Sequence, residues 1–503
     1  MSTDAWIPTQ PHTRLVKADV IAGLSVALML VPQSMAYAEL AGLPPYIGLF
    51  ASALPPIFAA FAASSPYLQT GPVALTSLLT FGALAEFAEP GSANYLELAA
   101  LLALVVGVSR LVLGILRMGV IAYLMSEPVL IGFTSAASIL IIGSQLPNIL
   151  GIKAPEGDLL GKAWWSIRHT NQWEIDSLII SLITIVLVLG RRLYWFFPGS
   201  LVAVTGGVLF SHFSNYDGSI IGDIPSGFPN LSFELPWSST GSLLVSGVTI
   251  ALVGFAEPAS ISRVFAISER QSWNADREFF SQGLANIAAA FSGSFPVGGS
   301  FSRSSLNHLS GAKSRWSGLV TGVAVLFFLP LASILEPLPH AVLGGIVIAA
   351  VIRLVKPVEL IGMMRKSKPQ TFVSWGTFIA TLLFTPRIER GVITGIILSL
   401  ALHLWRELRI EVPRKVDGTI LYLKPHGVLW FATAARLERA VLNALVDEPE
   451  IRTLVISLGG CGRVDFTAAM TLNRISETVK SAGLEVQITE IPKNAIKHLK
   501  KFT

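Results

Sequence analysis

Two short stretches decide the fold: Gln69-Thr70-Gly71-Pro72-Val73-Ala74 and Phe295-Pro296-Val297-Gly298-Gly299-Ser300-Phe301-Ser302-Arg303. Each joins a segment that reads as extended, 65–70 or 292–297, to a short run that reads as a helix. Proline at 72 suits the first helical turn, where no amide donor is needed. Backbone that leaves a helix at membrane depth is tolerated only where it lines a cavity or is buried in protein. The pair therefore predicts two half-helices starting near a membrane midplane. A single such site reads as an ordinary Pro/Gly kink, but these breakers lie roughly 225 residues apart, the correspondence expected of the two halves of a transporter.

The surroundings support a membrane setting. Of 503 residues, 52% are hydrophobic and 14% charged, against about 25% charged in a soluble domain. Charge-free runs cover 43–82, 128–152, 235–256 and 316–335 among others, and a span needs roughly 20 apolar residues. Parsing at Gly, Pro and charge gives about fourteen spans. The first set is 18–39, 44–63, 73–87, 96–117, 121–148, 174–192 and 196–213; the second is 240–262, 276–292, 301–311, 314–335, 338–356, 369–386 and 389–410. A seven-span unit crosses an odd number of times, so its second copy enters from the other side: an inverted repeat, 18–213 and 240–410, within a transport domain 18–410. The first span of each set carries a polar interruption, Val31-Pro32-Gln33-Ser34 and Gly254-Phe255-Ala256-Glu257-Pro258.

Basic residues fall mainly in loops on the side of the termini, among them Arg14, Lys17, Arg110, Arg117, Arg191, Arg192, Lys313 and Arg315. That bias places both termini in the cytoplasm of an inner (plasma) membrane protein and accounts for the net charge of +5 without nucleic acid. Residues 1–17 form a cytoplasmic segment lacking the apolar core of a signal peptide, so the first span is expected to be retained. The one cysteine, Cys461, permits no intramolecular disulfide and no metal cluster, and the eight histidines show no ligand spacing. No nucleophile–base motif appears, so neither an enzyme nor a cofactor is expected.

The breakers imply a ligand. A helix N-terminus carries about half a positive charge, and two opposed termini suit an anion, with Gly298 and Gly299 letting it approach the backbone. Arg303, one turn into the second short helix, adds a full charge; alternatively it pairs with an acid or snorkels to the surface. Glu257 ends the uncharged run 235–256, where an ionised carboxylate costs at least about 2.5 kcal/mol unless paired or neutralised. It is a candidate proton carrier. Glu39, at the end of the first span, is a second candidate, or a helix-end residue in a wet vestibule. Gln33 and Tyr37, one helical turn apart, face the same site.

After about residue 411 the character changes: charge rises and elements shorten. Strands 418–423 and 427–431 read as a hairpin, followed by a helix 435–445, a strand 453–458, a helix to 482, a strand 484–489 and a last short helix. This predicts a small α/β layer domain, 411–503, in which Asp465 or Thr467 caps a helix.

These residues carry a resemblance. Asp19-Val20-Ile21-Ala22-Gly23-Leu24, Val31 to Ala38, Ala41 to Leu49, Thr70 to Ala74, Gly222 to Pro229 and Phe295 to Ser304 look like the signature of the SulP/SLC26 anion transporters, and the tail resembles their STAS domain. The resemblance covers essentially the whole chain. It implies core and gate domains of the kind shared with nucleobase permeases, usually in a homodimer set in lipid. It implies that Gln33, Tyr37, Val73, Ala74, Thr76, Ser300, Ser302 and Arg303 contact the anion, and that Thr467 lies in a phosphorylatable, regulatory loop. A glutamate on the eighth span, as at Glu257, resembles proton-coupled sulfate members; sodium-coupled bicarbonate members have an aspartate there. The expectation is proton-coupled symport by alternating access. An uncoupled exchanger or channel, or a sulfate or bicarbonate carrier, stays open beside a carboxylate or dicarboxylate, which is favoured on the apparent room at Gly298-Gly299.

Overall fold

The computed structural model describes residues 14–496 except 124, 156, 191–196, 215, 226 and 494. The segment 1–13, Arg191, Arg192, Ser226 and most of the last predicted helix lie outside the described residues. The chain divides into two compact units, Met1–Ile397 and Leu398–Thr503.

The first unit runs α1 (Lys17–Leu40), α2 (Pro45–Ala62), β1 (Thr70–Gly71), α3 (Ala74–Leu84), α4 (Ala93–Ile115), α5 (Glu127–Leu150), α6 (Leu159–Arg168), α7 (Ile175–Gly190) and α8 (Gly199–Phe213). It then repeats the pattern as α9 (Thr240–Ser268), α10 (Ala275–Phe291), β2 (Gly298–Gly299), α11 (Phe301–Leu309), α12 (Trp316–Phe328), α13 (His340–Val351), α14 (Pro357–Lys366), α15 (Lys368–Leu383) and α16 (Ile388–Glu407), which extends past the division. Two helices, a two-residue strand, a short helix, two helices, a short helix and two helices occur twice. The extra helices α6 and α14 were not expected. In α6, Leu159, Ala163 and Ser166 are buried at the spacing of one helical face. Without these two, each half holds seven spans.

Proline explains most differences from the predicted bounds. The span expected from 121 begins as α5 at Glu127, with Pro128 in its first turn, after a separate 3₁₀ turn at 119–123. The span 314–335 changes from α12 to 3₁₀ helix at Leu329–Leu335, where Pro330 has no amide to donate. Conversely, α1 and α9 run unbroken through Pro32 and Pro258. The polar interruptions of the first spans are thus interruptions of composition, carried on continuous helices. The half-helices are α3 and α11 alone.

α2, α4, α10 and α12 interlock, with α1 against α2 and α12 and α9 against α4, and form the core; α5, α7, α13 and α15 pack together as the gate, joined by α8. Between them lies a cavity of about 200 Å³ lined by Ser25, Leu28 and Met29 of α1, Val188 of α7, Leu201 of α8 and Leu306 of α11.

The second unit contains β3 (Arg414–Asp417), β4 (Ile420–Leu423), β5 (Gly427–Leu429), α17 (Phe431–Asp447), β6 (Thr453–Ser457), β7 (Cys461–Val464), α18 (Phe466–Ser481) and β8 (Glu485–Thr489). Its sheet has the order β3-β4-β6-β8, with β4, β6 and β8 parallel. The hairpin is β3–β4, not 418–423 with 427–431, because Gly418 (φ +58°) makes the turn. β5 pairs instead with β7. Leu421, Leu423, Leu454, Ile456, Leu437 and Leu472 form its core. Asp465 caps α18, accepting from Ala468 N–H at 2.7 Å, and reaches Phe431 N–H of α17 at 3.3 Å. Thr467 is exposed in the first turn of α18.

Candidate functional site

β1 and β2 pair antiparallel, Thr70 opposite Gly299 and Gly71 opposite Gly298, and Ser300 N–H donates to Gln69 C=O at 3.1 Å. The pairing satisfies extended backbone that would otherwise be bare inside the membrane. It also sets the starts of α3 and α11 side by side, each leaving the crossing within a few residues. Neither N-cap, Val73 nor Ser300, supplies a side-chain bond to its own helix, so amides of both first turns stay available.

Braces hold this crossing. The Asn286 amide of α10 binds both sides of Val297, accepting from its N–H at 2.9 Å and donating to its C=O at 3.1 Å. Gln282 donates to Thr70 Oγ1 at 2.8 Å, and Gln69 N–H donates to Ser304 Oγ at 2.9 Å. Arg110 of α4 is fully buried and donates to Val297 C=O at 2.9 Å, Ala251 C=O at 3.2 Å and Ile250 C=O at 3.5 Å. Its assignment to a terminal-side loop is therefore corrected. An arginine in the otherwise apolar stretch 98–116 was the signal that should have marked it.

Arg303 lies in the first turn of α11 with no exposed surface, and none of Nε, Nη1 and Nη2 has a hydrogen-bond acceptor among the described residues. A Cβ added at Gly71 would stand 3.5 Å from its Nη2, so the guanidinium lies against the β1–β2 crossing. Snorkelling is excluded by the burial. Glu257 and Tyr37 are close enough to act on Arg303 electrostatically, and the Glu257 carboxyl lies near the Phe301 start of α11. Gln33, one turn before Tyr37 on α1, is buried with Oε1 unpartnered. Thr76 Oγ1 turns back onto Val73 C=O at 3.1 Å, and Ser300 and Ser302 hydroxyls lie 3.2 Å apart. Val73 and Ala74 open α3 and are buried. The structure thus brings Tyr37, Glu257 and Arg303 together at the two helix starts.

Two expectations change. Gly298 and Gly299 make no roomy opening: an added Cβ would meet Leu68 Cδ1 at 2.6 Å and Pro258 Cγ at 3.2 Å from Gly299, and Val73 Cγ2 at 3.3 Å from Gly298. The glycines are required by close backbone approach. Glu39 stands apart at the far end of α1, where its Oε1 accepts from Asn148 Nδ2 of α5 at 2.9 Å and lies 2.8 Å from His340 Nδ1 of α13. His340 was missed because its partner is remote in sequence. At the same end of the bundle, Glu86 pairs with Arg387, and Ser246 Oγ lies 3.5 Å from Glu389 Oε1.

Comparison with known proteins bears on this geometry. The sulfate permease family model matches residues 16–377, and the STAS domain model matches 411–503. The chain is 35% identical over 434 residues to sulfate transporter 4.1 (chloroplastic) of Arabidopsis thaliana, a match covering 83% of this chain and 63% of that protein. It is 29% identical to a probable sulfate transporter of Mycobacterium tuberculosis, over 96% of this chain and 92% of that one. Its fold matches the murine Solute Carrier 26 family member A9 anion transporter with a TM-score of 0.89 and 22% identity, over 99% of this chain and 89% of that chain. The carboxylate expectation finds no support here and has lost its structural premise with the packed glycines. Matched fold, half-helix crossing and family models converge: the chain belongs to the sulfate permease (SulP/SLC26) family of multi-pass membrane anion transporters, a family of carriers and not of enzymes, and ends in a STAS domain.

Proposed function

We propose that this chain carries sulfate, coupled to protons, by alternating access. One observation carries the reading: a fully buried arginine that has no acceptor among the described residues, at the junction of two helix N-termini. A buried cation left unpaired is strongly disfavoured, so the site calls for an anion. Charge bookkeeping supports a divalent one with a proton. Among the groups that face the ligand, two helix starts contribute about +0.5 each and Arg303 +1, while ionised Glu257 subtracts 1, leaving about +1. Neutral Glu257 leaves about +2, the complement of sulfate. The names of the relatives support the same anion. Gln33, Tyr37, Val73, Ala74, Thr76, Ser300 and Ser302 line this site in our reading, with Gly298 and Gly299 shaping its backbone.

For the movement we take residues 18–213 and 240–410 as the repeats and 411–503 as the STAS domain, with the core moving against the gate. Glu39–His340 joins a core helix end to a gate helix end, while Glu86–Arg387 and Ser246–Glu389 tie the end of α3 and the first turns of α9 to the start of α16. All lie at the ends opposite the termini, which supports a state closed on that side. Glu39 then serves closure, and Glu257 the proton. The basic loops support cytoplasmic termini in the inner membrane, and the resemblance supports a homodimer. Thr467, exposed at a helix start, is the candidate regulatory residue.

Uptake of labelled sulfate into proteoliposomes, with an inward proton gradient, an inward sodium gradient or none, tests the proposal. Saturable uptake stimulated by protons alone is expected. Uptake indifferent to both gradients would mean exchange, and inhibition by bicarbonate but not by excess sulfate would displace sulfate as substrate.

A further inference from the structure

Arg110, like Arg303, is an arginine of the first unit with no exposed surface. Among the described residues it has no carboxylate partner; its bonds go to the carbonyls of Ile250, Ala251 and Val297. Carbonyl dipoles satisfy the N–H groups but leave the net charge, and a low-dielectric interior screens that charge weakly. Val297 directly precedes Gly298, Gly299 and Ser300. The guanidinium also reaches the site from the α9 side: a Cβ added at Gly254 would meet Arg110 Nη2 at 2.7 Å and Thr76 Cγ2 of α3 at 2.9 Å. One side chain therefore touches the unwound strand of one half-helix and stands one residue's width from the first turn of the other.

We infer that Arg110 is a positioning and specificity residue of the anion site: it pins β2 to α9 and supplies a second positive charge, behind the site, that selects divalent over monovalent anions. It works through Val297 and through the field and does not touch the anion. Arg303 faces the ligand; Arg110 sets how much negative charge the site accepts. The inference rests on reading this crossing as an anion site.

The test is uptake by the full-length protein in proteoliposomes, with sulfate as the divalent probe and nitrate as a monovalent competitor. Arg110→Gln should raise the sulfate KM about tenfold with a much smaller change in maximal rate, and should raise the relative potency of nitrate. Arg110→Lys, which keeps the charge but not the bond geometry, should restore the sulfate-to-nitrate preference to within about threefold. A purely structural role would instead lower the amount of folded protein and the maximal rate, leave the preference unchanged and show no rescue by lysine. Should Arg110→Gln fail to fold, Arg110→Met, which removes the charge but keeps an apolar stem in place, is measured instead, and the preference should again fall. An unchanged preference in the folded charge-removing variants of Arg110 overturns the inference. Arg303→Ala serves as the control: if it leaves sulfate uptake intact, the anion-site reading itself fails; if it abolishes uptake while the charge-removing Arg110 variants keep the preference, only the role of Arg110 fails.

Discussion

Arg303 and Glu257 divide the work at the site between permanent and removable charge. Arg303→Ala should abolish saturable sulfate uptake while leaving the purified protein monodisperse, because the change removes an unpaired buried cation whose desolvation the fold must otherwise offset. Glu257→Gln should keep sulfate binding and exchange but lose stimulation by a proton gradient, read by comparing counterflow with gradient-driven uptake. Stimulation that survives in Glu257→Gln would move the proton to another group. Arg303 was legible in the sequence because a basic residue one turn past a breaker is a local pattern. Its lack of a partner was not, since that depends on what α1 and α9 place beside it.

The crossing of β1 and β2 depends on α10. Asn286→Ala would leave both polar groups of Val297 with one fewer partner inside the membrane, at a cost of about 1–3 kcal/mol for each buried group left unsatisfied. A fall of several degrees in the thermal midpoint of the detergent-solubilised protein is expected, together with weaker sulfate binding. In the STAS domain, Asp465 caps α18 and touches the start of α17. Asp465→Ala should destabilise that domain by about 0.5–2 kcal/mol, seen as earlier proteolysis within 411–503 in limited digestion, with the membrane unit unaffected. Equal cutting of both proteins would show that the cap contributes nothing measurable. The half-helices could be read from Pro72 and Pro296 because such breakers act within a few residues. The β1–β2 register could not, because two-residue strands carry no periodicity.

Across the whole membrane unit, the core–gate contacts at one end act as a closure. His340→Ala removes the group that faces Glu39 and should shift the population away from the closed-outside state. A cysteine at Ser25, which lines the core–gate cavity, reports this through its rate of maleimide labelling from the terminal side. The Cys461→Ser background is clean, since these 503 residues hold no other cysteine. Slower labelling of Ser25→Cys in the His340→Ala variant is expected; an unchanged rate would show that Glu39–His340 holds nothing closed.

The sequence by itself determined the membrane class, the span count, the doubling of the pattern and the α/β tail. Run length, charge and Pro/Gly punctuation are properties of neighbours along the chain, and the bilayer imposes a length on each apolar run. Only the tertiary structure decided which buried charges are satisfied and which are not. Arg110 and Arg303 look alike as arginines beside apolar runs, yet among the described residues one is held by three carbonyls and the other by none. Glu39 and Glu257 look alike as acids on first spans, yet one meets a histidine far along the chain and the other a half-helix start. Each difference rests on groups brought together from separate helices, whose pairing no local pattern encodes.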